Sequence, residues 1–156
     1  MAKIFEGERH GAGLKIAIAI SRFNGPITKK LLEGAQECLV KRGVLAGDID
    51  VAWVPGAFEL PQAVQALIER DEYDGILPLG CVIQGETPHF DYICQSVTSG
   101  ITMLSLDSGV PIVFGILTTA TLEQARARAG LVSNKGFEAA EALLELIDVT
   151  RSIQGS

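Results

Sequence analysis

The sequence predicts an α/β domain built on a parallel β-sheet with helices on both faces. Three observations carry that prediction. Short apolar runs recur along the chain, amphipathic helical patterns separate them, and no repeat, low-complexity stretch or linker breaks the alternation. Strands alternating with helices imply right-handed crossovers and a sheet covered on both sides.

The first run, "LKIAIAIS" (14–21), reads as a buried strand. In "PITKKLLEGAQECLVKRG", Leu31, Leu32, Ala35, Cys38 and Leu39 recur at three and four residues, and Gly43 suits a helix stop. "DIDVAWV" (48–54) is a second strand, followed by a helix over 59–70. "GILPLGCVI" (75–83) is a third, with Pro78 arguing against regular central pairing. A helix over 88–107, the strand "PIVFGILT" (111–118), and helices over 121–130 and 134–153 complete the pattern.

At 156 residues the chain fits one domain, 1–156, with 1–13 as an amino-terminal arm. The 47% apolar and 21% charged content is that of a soluble globular protein. Thirteen basic against nineteen acidic residues give a net charge of −6, which disfavours nucleic acid or an anionic membrane as partner. No apolar run approaches the ~18 residues of a membrane span, and "MAKIFEGERHGAG" lacks the apolar core of a signal peptide. Cys38, Cys81 and Cys94 are odd in number and far apart, so neither a zinc site nor a disulfide framework is expected, and a cytoplasmic location is.

Parallel sheets bind ligands beyond the carboxyl ends of their strands, which directs attention to "SRFN", "PGAFE", "CVIQGETPH" and "FGILTT". The glycines of "GERHGAGLKIAI" precede a strand instead of following it, and "GCVIQGET" lacks the Lys-Ser/Thr of a phosphate loop. Phe23 could stack on a flat heterocycle or simply cover the sheet end. Phe58 and Glu59 follow a Pro-Gly turn; the acid suits a helix start through the macrodipole, and could equally accept hydrogen bonds from a hydroxylated ligand.

"GETPHFDY" (85–92) is the most informative segment. Thr87 then Pro88 reads as N-cap and first helical position, so the amides near 85–90 form an anion site. His89 falls in that first turn, either as a proton-transfer group or as a histidine tucked against the helix start. Arg126 and Arg128 point different ways on their helix, and one of them can neutralise a ligand phosphate. Lys135 lies in "SNKG", and Phe114 is placed midway along the fourth strand. No Ser-His-Asp order, metal-ligand cluster or Schiff-base lysine stands out. The residues alone thus describe an α/β enzyme with a phosphate-tolerant site.

Together "SRFN", "VPGAFELP", "LGCVIQGETPHFDY", "VFGILTT", "EQARARAG" and "NKG" resemble the lumazine synthase family of riboflavin biosynthesis, over residues 13–151. The resemblance implies a flavodoxin-like three-layer sandwich with a four-stranded parallel sheet and an arm that adds a strand to a neighbouring subunit. It implies a homo-oligomer, a pentamer alone or assembled into 10-mers or 60-subunit shells, with riboflavin synthase as a candidate partner. The two small-molecule substrates are 5-amino-6-(D-ribitylamino)uracil and 3,4-dihydroxy-2-butanone 4-phosphate, and no cofactor or metal is required. Carried over by motif, Phe23 stacks on the pyrimidine, Ala57, Phe58 and Glu59 hold the ribityl chain, and the backbone of Cys81, Val82 and Ile83 bonds the pyrimidine. Glu86 and Thr87 line the phosphate site, Arg128 supplies its countercharge with Lys135 nearby, His89 transfers protons, and Phe114 closes the pocket. In the family Phe114 and Arg128 come from the adjacent subunit. Two departures lower the local positive charge: Gln84 stands where many members have arginine or lysine, and "LVS" replaces a longer, lysine-bearing stretch. Competing readings are a shell protein that binds flavin without making it, and an unrelated flavodoxin-like nucleotide binder.

Overall fold

Along β1 (Ile16–Ser21), Ile16, Ile18 and Ile20 alternate with Ala17 and Ala19, and all five are fully buried. A strand whose two faces are both apolar must be covered twice. The computed structural model, which describes residues 1–155, shows how. β1, β2 (Ile49–Val54), β3 (Gly75–Ile83) and β4 (Gly115–Thr119) form one all-parallel sheet in the order β2-β1-β3-β4. The isoleucines of β1 meet α1 (Gly25–Lys41) and α5 (Lys135–Gly155) through Leu31, Leu39, Leu143 and Leu144. The alanines leave room for α2 (Leu60–Glu69) and α3 (His89–Ser108), which bring Leu60, Val64, Val97 and Ile101. The result is the expected three-layer α/β sandwich.

Glycine decides how closely α1 and α5 approach. A Cβ on Gly136 would lie 2.0 Å from the Leu31 carbonyl oxygen, so the two helices touch backbone to backbone there. Gly43, at φ +106, ends α1 in the left-handed region that suits glycine. Asn134 caps α5 by accepting from the Phe137 amide at 3.0 Å, and its Nδ2 donates to the Lys30 carbonyl of α1 at 2.9 Å.

Pro78 does lie in a central strand, contrary to the simplest reading of a proline. The β3–β4 ladder is interrupted where it falls: Ile76 bridges Ile112, and regular pairing resumes only at Leu79 with Gly115. A proline has no amide to give, and the gap removes the demand for one. The same interruption moves the fourth strand. It begins at Gly115, so Phe114 is not midway along it but just before it, half exposed in the unpaired stretch.

Residues 1–13 contain no strand in the single chain. Part of the arm docks on its own helices: the Glu8 amide donates to Asp148, Arg9 pairs with Glu141 and Glu145, and the Gly11 amide donates to the Arg42 carbonyl. At the amino ends of the strands, the Tyr73 hydroxyl donates to Asp50 at 2.6 Å and Lys15 pairs with Glu72 at 3.3 Å. Asp74 accepts from the Lys15 amide at 2.7 Å and pairs with Arg151. No described helix is long and apolar enough to cross a membrane.

Candidate active site

The sheet changes winding direction between β1 and β3, and their carboxyl ends open a crevice there. Three turns build its walls. The first follows β1, where the Arg22 and Phe23 amides donate to the carbonyls of Val54 and Pro55 at 2.8 and 3.0 Å. Asn24 then adopts φ 61, and its Nδ2 donates to the Cys81 carbonyl at 2.8 Å. That bond ties the β1–α1 turn to β3 and leaves Phe23 71% exposed over the crevice. The second turn is a short 3₁₀ segment, Ala57–Glu59, in which Glu59 Oε1 accepts from the Gly56 amide at 2.9 Å. One carboxylate oxygen of Glu59 is therefore held while the other stays available.

The third turn carries the histidine. Thr87 does not cap α3: Pro88 is the N-cap, and its carbonyl accepts from Asp91 and Tyr92 at 3.0 and 3.4 Å. With ψ near 1° at Pro88 the helical backbone starts one residue later, so His89 occupies the first helical position. Its ring is exposed beside the orphan amides of that turn.

These turns enclose a cavity of about 560 Å³ lined by Phe23, Ala57, Phe58, Glu59, His89 and the backbone end of β3, with Phe90 and Ile93 as its half-buried floor. Cys81, Val82, Ile83 and Thr87 also line it, as expected from the sequence; Glu86 does not, its side chain turning to solvent between Gly85 and Thr87. The Cys81 side chain belongs to the α1/α5 core, and its carbonyl already accepts from Asn24. Burial pushes that thiol up to about 11, so it stays protonated at neutral pH. Among the described residues Glu59 is the one charged wall residue, and no lysine or arginine lines the cavity.

The expected cations lie elsewhere. α4 (Leu122–Arg128) is fixed by a capping box, Thr121 Oγ1 accepting from Gln124 N at 3.1 Å and Gln124 Oε1 from Thr121 N at 3.3 Å. It ends at Arg128, which donates to the Gln124 carbonyl at 3.0 Å. Arg128, Phe114, Lys135 and Glu138 line a second cavity of about 360 Å³, and Arg126 is not among its walls. Thirteen sequence-predicted residues thus divide: nine line the first cavity, three line the second, and Glu86 lines neither. Asn24 and Glu138 were not singled out from the sequence. An asparagine ahead of a helix ordinarily signals an extended N-cap bonded to the helix amides. Asn24 is left-handed and makes no such bond, and its carbonyl partner 57 residues away leaves no local trace.

Residues 13–151 match the sequence profile of the 6,7-dimethyl-8-ribityllumazine synthase family. The chain belongs to that family. A 6,7-dimethyl-8-ribityllumazine synthase of Lactiplantibacillus plantarum is 57% identical over 150 residues, spanning 96% of this chain and 94% of that protein. Membership in the lumazine synthase family covers both cavities, the arm's last residue and almost all of α5.

Proposed function

We propose that the chain condenses 5-amino-6-(D-ribitylamino)uracil with 3,4-dihydroxy-2-butanone 4-phosphate to 6,7-dimethyl-8-ribityllumazine, releasing phosphate and water. Family membership and the 57% identical lumazine synthase support the reaction. The observation that carries the site assignment is the division of the predicted residues between two cavities of one chain. The His89 cavity suits a flat, hydroxylated, uncharged molecule. Phe23 stacks on the pyrimidine, β3 backbone groups from Cys81 to Ile83 bond its edge, and Ala57, Phe58 and Glu59 hold the ribityl chain. It has no fixed cation for a phosphate, and the second cavity has one.

Joining two copies solves this: the Arg128 cavity of one subunit closes the His89 cavity of the next. Phe114 then covers the heterocycle, and Arg128 faces the phosphate held at the start of α3 by Thr87 and the helix amides. A homo-pentamer with one site per interface is the arrangement proposed, in the cytoplasm, with the arm's first residues adding to the neighbour.

The 5-amino group attacks the ketone, and loss of water gives an imine. His89 moves protons for this step and for the elimination of phosphate, as an imidazole can near neutral pH. Arg128 and the α3 amides stabilise the departing phosphate, already aimed where charge develops. Ring closure loses a second water, and much of the rate advantage lies in orienting two substrates. Incubating the assembled protein with both substrates should yield the absorbance and fluorescence of the lumazine. Absence of product from a correctly assembled oligomer overturns the proposal.

A further inference from the structure

The Arg128 cavity contains an anion that nothing in the proposed chemistry requires. Glu138 lines it one helical turn after Lys135, and Lys135 Nζ lies 3.1 Å from Glu138 Oε1. Both side chains are about half exposed, at 46% and 52%. Arg128 differs: it forms no ion pair among the described residues, and its one hydrogen bond goes to a neutral carbonyl. The cavity therefore holds one uncommitted cation and one committed cation.

We propose that Glu138 sets the phosphate affinity of this site by holding the Lys135 ammonium, so that a phosphate must compete with a carboxylate for the second cation. The inference rests on the reading of this cavity as the phosphate half of the active site. An ordinary surface pair one turn apart would have the same geometry, and an acid in the first turn of α5 is favourable in any case. What distinguishes this pair is its place, in the same wall as Arg128 and Phe114. A phosphate meets a net charge of +1 from Arg128, Lys135 and Glu138 as they stand (two positive, one negative), and +2 once Glu138 is neutral. Weak capture favours a site that must also release inorganic phosphate each turnover.

The role predicts an uncommon sign: Glu138→Gln tightens binding instead of weakening it. Titrating the assembled protein with inorganic phosphate by calorimetry should show a Kd lower by roughly two- to fivefold, the scale of an exposed ion pair. The KM for the phosphorylated substrate falls with it, the KM for the pyrimidine does not, and the salt dependence steepens. In a Lys135→Gln background the same substitution gives a smaller gain. An equal gain in both backgrounds means that Glu138 acts by its own field, and overturns the pairing. Unchanged or weaker phosphate binding in Glu138→Gln, with wild type binding phosphate and Arg128→Ala binding it less, overturns the proposal but leaves the cavity assignment intact. If wild type shows no phosphate binding that Arg128→Ala reduces, the cavity assignment falls, and the proposal with it.

Discussion

The two cavities that hold the candidate site residues differ in the kind of work their walls can do. One is large, mostly apolar, floored by a half-buried Phe90 and Ile93, and carries a histidine and a single acid. The other is smaller and holds the arginine, a lysine-glutamate pair and an aromatic ring set in a gap of the sheet. The first can orient a heterocycle and move protons, and the second can hold an anion. Neither alone can run a condensation that expels phosphate. On the proposed reading assembly is a condition of activity, because His89 and Arg128 line different cavities of one chain.

The sharpest way to break the comparison is to disable each half separately. His89→Ala should lower kcat by roughly 10²-fold or more with little change in either KM, since it removes general acid–base help. Arg128→Ala should raise the KM of the phosphorylated substrate by about tenfold or more, the loss of a charge-assisted contact worth ~1.5–3 kcal/mol. Steady-state kinetics with each substrate varied would check both, and a wild-type profile for either variant would mean that its half is misassigned. Asn24→Gly keeps the left-handed backbone but loses the bond to the Cys81 carbonyl. It should raise the KM of the pyrimidine severalfold and leave that of the phosphorylated substrate unchanged, since it loosens Phe23 and not the Arg128 cavity.

The smallest effect concerns thiols. Burial pushes Cys38 and Cys81 from an ordinary value of 9.0 up to about 11, and raises the less buried Cys94 too. The folded state therefore holds these protons more tightly than the unfolded chain. Stability should be level below pH 9 and fall as pH rises from 9 towards 11, seen as a falling urea midpoint. At pH 8 an alkylating agent should modify Cys94 before the other two. Early loss of Cys81 would show that the first cavity is more open than its backbone suggests.

Much of this was legible in the sequence because the signals were local. The alternation in "IAIAI", the repeat of Leu31, Ala35, Cys38 and Leu39, and the stop at Gly43 each report on a single element, and all fell in place. The misplacements came where one element's end depends on another. β4 starts late because Pro78 on its neighbour offers no amide, and α3 starts late because the Pro88 carbonyl takes the first helical bonds. The roles of the candidate site residues, and the placing of Phe114 and Arg128 on the adjacent subunit, came from the family resemblance and not from residue spacing. His89 and Arg128 are 39 positions apart in sequence (128 − 89), which says nothing about which side of the sheet each reaches. Asn24 and Glu138 escaped notice for the same reason, since their partners or their cavity exist only in the fold.

The division is tested most directly by mixing two crippled variants. His89→Ala and Arg128→Ala, co-refolded or co-expressed in equal amounts and assayed with the phosphorylated substrate well below its KM, where both parents are slow, should regain activity well above the mean of the parents. If each site draws His89 from one subunit and Arg128 from the next, random mixing leaves about one quarter of the sites with both native residues. Recovery approaching that fraction of wild-type activity is the predicted result. No recovery from oligomers shown by mass spectrometry to contain both variants would mean that a single chain builds the whole site, and would contradict the account.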